Sequence, residues 1–308
     1  MSSQPFVTTP ELMAIVIAVK PKGLIADRVL PRATVMSKNF KYNLYNTVEA
    51  FTVPDTRVGR KSAPNVVEFT GTQANGSCQD YGLDDLVPND DVKAATRENL
   101  PNPVNRAMEG TTRLVQLGRE QRVANLVFSA ASYSNKTALV GAAQFSDPAS
   151  DPIGIISAGL DACLVRPNTM VFGQGAWTAF RKHPAVVKAV HGNAGDAGLA
   201  STRQVAELFE VDEVIVGRAR INTAARGKAA SYSQAWGKHI ALLFIDSAPQ
   251  AEGEPTFGFT AEYGAKVAGT RPNSTAGLRG GIDVRSGETV GEVISAPDAG
   301  YFIENAAA

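Results

Sequence analysis

The residues able to carry chemistry are few and scattered. Three histidines, His183, His191 and His239, supply all the imidazoles of the chain. None stands at metal-ligand spacing from a cysteine, a carboxylate or another histidine. His183 precedes Pro184 at a helix break and His239 opens an apolar strand, so both read as structural. The segment Val171-Phe-Gly-Gln-Gly-Ala-Trp177 follows an apolar run and opens a helical one, the setting of a phosphate-binding loop. Its third glycine would fall at Thr178, and no acid follows about twenty residues on at the end of a second strand. The fingerprint is incomplete. No G-x-S-x-G elbow, Walker loop or close carboxylate pair in an apolar setting is present. The sequence therefore predicts no catalytic, cofactor-binding or metal-binding residues, no cofactor, and a protein that is not an enzyme.

Composition limits the remaining possibilities. The chain has 308 residues, 44% hydrophobic and 19% charged, with thirty basic residues balancing thirty acidic ones. That length can bury a sizeable core. A neutral protein has little long-range repulsion between its copies. It also lacks the basic excess of proteins whose main task is to hold nucleic acid. Cys78 and Cys163 read as two buried small hydrophobes rather than a disulfide framework. The run Leu12 to Val19 is apolar but too short to cross a bilayer, and no basic leader precedes it. It reads as a buried strand, and no membrane association is expected.

The elements that would position these residues follow from periodicity and punctuation. Residues 1–37 read as an extended arm broken by Pro5, Pro10, Pro21 and Pro31. Residues 38–88 read as a long β-hairpin. Phe40, Tyr42 and Leu44 alternate with polar residues in one strand, and Val66, Val67 and Phe69 mark the other. Between them lies a basic tip holding Arg57, Arg60 and Lys61, bounded by Pro54 and Pro64. A short helix is predicted over Asp90–Glu98. Asn102 then caps a long helix with Pro103 in its first turn. Val104, Met108, Thr111 and Val115 share one face of that helix, which runs to about Asn125 at helical spacing. Its other face, with Arg106, Glu109, Arg113, Glu120 and Arg122, reads as solvated or interfacial. Asp151-Pro152 opens a compact α/β unit over residues 151–248, including the strands Thr169–Phe172, Val214–Val216 and Ile240–Ile245 and a capping box at Ser201 and Gln204. From Phe257 onward the pattern is strand, with Ile282/Val284 and Val290–Ile294 as separate runs. The fold class is α+β.

Several stretches in this order carry a resemblance. They are Asp80-Tyr-Gly-Leu-Asp-Asp-Leu-Val-Pro88, Arg166-Pro-Asn-Thr-Met-Val-Phe-Gly173 with Trp177 and His183-Pro184, and Leu208-Phe-Glu-Val-Asp-Glu-Val-Ile-Val-Gly217. Asn222-Thr-Ala followed by Ala235-Trp-Gly-Lys238 completes the set. Over about residues 24 to 304 the chain resembles tailed-bacteriophage major capsid proteins of the Hong Kong 97-type capsid fold. The resemblance implies an N-terminal arm over 1–37, an extended loop over 38–88, and a strand-rich peripheral domain with its spine helix over 89–150 and 249–308. The axial domain is then 151–248. It implies a subunit that self-assembles as hexamers and pentamers into an icosahedral shell enclosing double-stranded DNA without sequence-specific binding. The expected partners are other copies of the chain, a separate scaffolding protein, a portal and a decoration protein. The expected location is the virion, after synthesis in the host bacterial cytoplasm. The hairpin tip, Arg57, Arg60 and Lys61, is expected to meet acids of a neighbouring subunit, with Asp90, Asp91, Glu109 and Glu120 as the landing residues. An encapsulin-like nanocompartment shell shares the fold and is the alternative; a soluble α/β enzyme is the more distant one.

Overall fold

The protein is described by a computed structural model over residues 6–44, 52–67, 72–192, 198–225, 227–246 and 256–308. Two five-stranded sheets, joined by one long helix, organise these residues.

The first sheet is built on β13 (Gly281–Ile294), with β4 (Gln79–Pro88) antiparallel along one side. β12 (Val267–Asn273) and β11 (Gly258–Tyr263) share its other side end to end, and β1 (Arg32–Val35) runs parallel to β11. The sequence reading divided β13 into two strands at its polar middle. It is continuous because those polar groups find partners: Arg285 pairs with Asp84 and Glu288 with Arg32. Gly287 and Gly291 let the neighbouring backbone close in, since a Cβ there would lie 2.7 Å from the Tyr81 carbonyl and 2.5 Å from that of Ser77.

The second sheet has the order β5 (Asn135–Ala138), β14 (Gly300–Glu304), β10 (Ile240–Leu243), β6 (Thr169–Gly173) and β7 (Glu213–Gly217). β6 and β10 are buried along their whole length, as runs without alternation predict. β5 and β14, read as lying outside the α/β unit, join its sheet: β14 pairs with β10 on one side and β5 on the other.

A short antiparallel hairpin of β8 (Arg220–Asn222) and β9 (Tyr232–Gln234) and eight α-helices complete the described architecture. The helices are α1 (Pro10–Ala18), α2 (Ala26–Val29), α3 (Asn89–Arg97), α4 (Pro103–Val127), α5 (Pro152–Ala162), α6 (Gln174–Arg181), α7 (Pro184–His191) and α8 (Thr202–Phe209). α4 spans 25 residues, about 37 Å at 1.5 Å per residue. Asn102 caps it by accepting from the Val104 amide at 3.0 Å, and Val104, Met108, Thr111 and Val115 are buried as their spacing predicts. α5 to α8 cover one face of the second sheet around Phe172, Trp177 and Phe180. Its other face packs Trp236, Phe302 and Tyr133 against the C-terminal half of α4 and against α2.

The arm departs from its predicted extended form. The run read as a strand is the helix α1, capped by Thr9, with Pro10 at the position where a missing N–H costs nothing. Leu12 and Val16, one helical turn apart, are buried against Val104, Met108 and Val284, whereas Ile17 is 61% exposed. One-sided packing overrides the strand preference of its β-branched residues.

The hairpin exists in a different register. β2 (Asn39–Leu44) pairs with β3 (Thr72–Ser77) rather than with Val66 and Val67. Val66 is 96% exposed and in no strand, and Phe69 lies outside the described residues. Phe40 fixes the pairing by lying over Gly76, where a Cβ would stand 2.4 Å from its ring.

Candidate assembly surface

The residues expected at an interface occupy quite different settings. Arg57, Arg60 and Lys61 are all exposed on the tip. The turn below them is tied locally: the Asp55 carboxylate accepts from the Arg57 amide at 2.9 Å, and the Ser62 amide donates to the Gly59 carbonyl at 3.0 Å. Asp90 and Asp91 open α3 and are exposed, Asp90 lying 3.2 Å from Arg279. Glu109 is half-buried on α4, 3.8 Å from Arg113.

Glu120 corrects the reading. It is fully buried, and so cannot be a landing residue on the subunit surface. Its carboxylate accepts from the Ile25 amide at 2.9 and 3.0 Å, the Ala26 amide at 2.8 Å and the Trp236 indole N–H at 2.6 Å. One side chain thus joins the start of α2, the long helix and the α/β unit. Burial pushes its carboxyl above the ordinary range, against the pull of these donors and of Arg119. The sequence did carry a signal, because Glu120 shares a helical face with the buried Val123, Ala124 and Val127. Arg122, also read as solvated, is half-buried under Glu292 at 3.0 Å and over the Tyr81 ring.

An ion-pair chain continues from this clasp. Arg119 bonds Asp27, Asp27 bonds Arg32 at 2.8 Å, and Arg32 reaches Glu262 at 3.0 Å and Glu288 at 2.9 Å. Arm, helix and first sheet are locked together by it.

The groups first considered for chemistry are taken up by the fold. Gly173 packs against the Trp236 and Gly237 carbonyls, each 2.3 Å from where a Cβ would stand. The Gly175 amide, which a phosphate would need, donates to the Gln234 side chain at 3.1 Å. His183 Nδ1 accepts from the Ala185 amide at 3.2 Å and caps α7, with Nε2 3.0 Å from the Asp147 carbonyl. His239 Nδ1 accepts from the Asn305 amide at 3.0 Å, and burial lowers its pKa. Cys78 and Cys163 are buried free thiols. Among the described residues no group of three or more histidine, cysteine and carboxylate side chains is placed to hold a metal. No helix among them is long and apolar enough to cross a membrane.

What the surface offers instead is open edges and apolar side chains. Among the described residues β4 pairs only with β13, and its Leu83 and Leu86 are 42% and 46% exposed. Val53 and Val66 on the hairpin are nearly bare. A groove of about 860 Å³ runs between the arm and the first sheet, lined by Phe6, Met13, Tyr81, Leu83 and Val267. No protein-family model matches the sequence. The major capsid protein of Pseudomonas phage JBD67 is 44% identical over 313 aligned residues, covering all of both chains. The chain belongs to the phage major capsid proteins.

Solved structures agree on the fold of this capsid protein. A phage-related protein from Bordetella bronchiseptica RB50 superposes with a TM-score of 0.76 at 23% identity, over 98% of this chain and 99% of that one. The capsid protein of cyanophage P-SCSP1u superposes with a TM-score of 0.57 at 9% identity, over 90% and 86% of the two chains. The fold is of the Hong Kong 97 capsid type, and its class is α+β.

Proposed function

We propose that this capsid protein assembles as hexamers and pentamers into a closed icosahedral shell around double-stranded DNA, which it encloses without reading sequence. Full-length identity to a phage major capsid protein carries the reading. Physical support comes from the hairpin, whose exposed Val53, Val66 and basic tip bury nothing within their own subunit. In this reading residues 1–37 are the arm, 38–88 the extended loop, whose last strand β4 joins the peripheral sheet, 89–150 and 249–308 the peripheral domain with α4 as its spine, and 151–248 the axial domain, whose sheet takes in β5 and β14. Arg57, Arg60 and Lys61 meet Asp90, Asp91 and Glu109 of an adjacent copy. A scaffolding protein, a portal and a decoration protein are the further partners, and the subunit is made in the host cytoplasm before it enters the virion. Its role is structural rather than enzymatic. The same identity ranks a phage shell above an encapsulin-like compartment or a soluble enzyme.

Electron microscopy of the protein coexpressed with its phage's scaffolding protein tests the reading. Closed shells of uniform size are expected. A monomer or small oligomer under every condition overturns it, and small shells packed with a cargo enzyme return the encapsulin reading.

A further inference from the structure

The arm and the long helix enclose a second groove, of about 580 Å³, whose rim is basic. Lys20 and Lys22 stand on one wall and Arg113 on the other, where Glu109, one helical turn before it, lies 3.8 Å away. Lys20 also borders an adjoining cavity of about 280 Å³, with Lys266 on its far side. Lys20, Lys22 and Arg113 are exposed. Both walls are fixed: Leu12 and Val16 of α1 are buried against α4, and the Gln116 side chain donates to the Val19 carbonyl at 3.0 Å.

The helix wall holds an unexplained residue. Gly110 is exposed, and a Cβ there would meet nothing within 4 Å. Glycine weakens a helix interior, and no packing within the subunit calls for it here. It lies on one face with Arg106 and Arg113, four residues after the first and three before the second. A missing side chain flanked by two exposed guanidiniums lets another backbone approach closely between two positive charges.

We infer that this groove, through Lys20, Lys22 and Arg113 and with Arg106 beyond its rim on the same helix face, holds the phosphate backbone of double-stranded nucleic acid. The inference rests on the reading that the shell encloses DNA, and adds which residues touch it. Local charge of this kind is compatible with a chain of zero net charge. Phosphate contacts of side chains alone position a duplex without reading its bases. The contact is weak and salt-dependent.

The test uses the full-length soluble subunit and a fluorescent 30-base-pair duplex of random sequence, followed by anisotropy across a salt series. Wild-type affinity should fall steeply as salt rises. The K20E/K22E/R113E variant should bind about tenfold more weakly or worse at low salt, and its plot of log affinity against log salt should flatten by roughly 2 to 3. If the reversed variant misfolds, K20Q/K22Q/R113Q replaces it, with the same expected direction. An unchanged salt slope in a folded variant overturns the inference. So does wild-type binding to polyglutamate but not to the duplex, which would assign the groove to an acidic protein. Failure to form shells in the microscope counts against the proposed function and leaves this solution measurement standing on its own.

Discussion

Glu120 accepts from three N–H groups that belong to two distant parts of the chain. Replacing it with alanine strands the Ile25 and Ala26 amides and the Trp236 indole in a buried space, at about 1–3 kcal/mol for each unsatisfied group. Glu120→Ala should therefore lower unfolding free energy by roughly 3 kcal/mol or more, read from the denaturant midpoint. Its pH dependence has a definite sign. Burial raises the folded-state pKa above the ordinary value of 4.5, so between the two values the folded state binds more protons than the unfolded one. Stability then falls as pH rises from 4.5 through the raised pKa. Glu120→Gln, which cannot titrate, should lose that slope. A wild-type stability that rises through the window relative to the Gln variant would mean that the donors outweigh burial. Gly173 makes a harder demand: a methyl group there would lie 2.3 Å from two carbonyl oxygens. Gly173→Ala should cost about 3 kcal/mol or more because backbone, not a mobile side chain, stands in the way. Soluble Gly173→Ala protein with wild-type thermal stability would contradict that placement.

Elements defined by their ends and by one-sided spacing were legible before the structure. The capped helix from Pro103, the capping box at Ser201 and the alternation-free strands β6 and β10 all follow from local residue types. Elements defined by distant partners were not. α1 reads as a strand because its composition is β-branched, and only its neighbours Met108 and Val284 make a helix of it. β3, Thr-Gln-Ala-Asn-Gly-Ser, has no strand signal at all and is held by pairing to β2. The site divides the same way: the exposed tip is visible as a charge cluster, whereas the apolar spacing around Glu120 hints at burial but its partners appear only when α2 and Trp236 are brought to it. The start of the arm is the element most open to test. Phe6 is buried between the Arg271 and Arg285 guanidiniums, 5.0 and 4.1 Å from its ring centre, and Val7 exchanges hydrogen bonds of 2.9 and 3.0 Å with Thr270 at the edge of β12. Phe6→Ala removes the large buried side chain that pins this segment among the described residues. Because a segment joined to the sheet by a single bridge can detach without unfolding it, global stability should fall by only about 1–2 kcal/mol, less than for a core Phe. The Thr270 amide should lose hydrogen-exchange protection. Protection equal to wild type at Thr270 would mean that Val7 docks without its neighbour.

At the scale of the whole molecule, a subunit with thirty charges of each sign has no net field to drive or resist association, so assembly depends on where the charges lie. The hairpin tip concentrates three cations within five residues, with Asp55 as the nearby acid, whose carboxylate accepts from the backbone of Arg57. None of the three lies within ion-pair distance of a described acid of its own subunit. On the opposite side of the ledger, Asp91 is exposed on α3, while Asp90 and Glu109 have only exposed or half-exposed partners that can be exchanged. Each exposed pair proposed between tip and neighbour would contribute about 0.2–1 kcal/mol, too little to hold two subunits together. In a closed shell each subunit gives one such contact and receives one, and ring closure makes every later contact intramolecular, so small terms accumulate into the difference between fragments and complete particles. Reversing the tip with R57E/R60E/K61E should leave the monomer untouched, since these side chains bury nothing, and its thermal unfolding should match wild type. Shells should then be absent or should fall apart at lower temperature and lower salt than wild-type particles, measured by electron microscopy and sedimentation on the same preparations. Normal particles with wild-type heat resistance would make the tip a solvated turn, and would move the search for the inter-subunit contact to the open edge of β4 and its exposed Leu83 and Leu86.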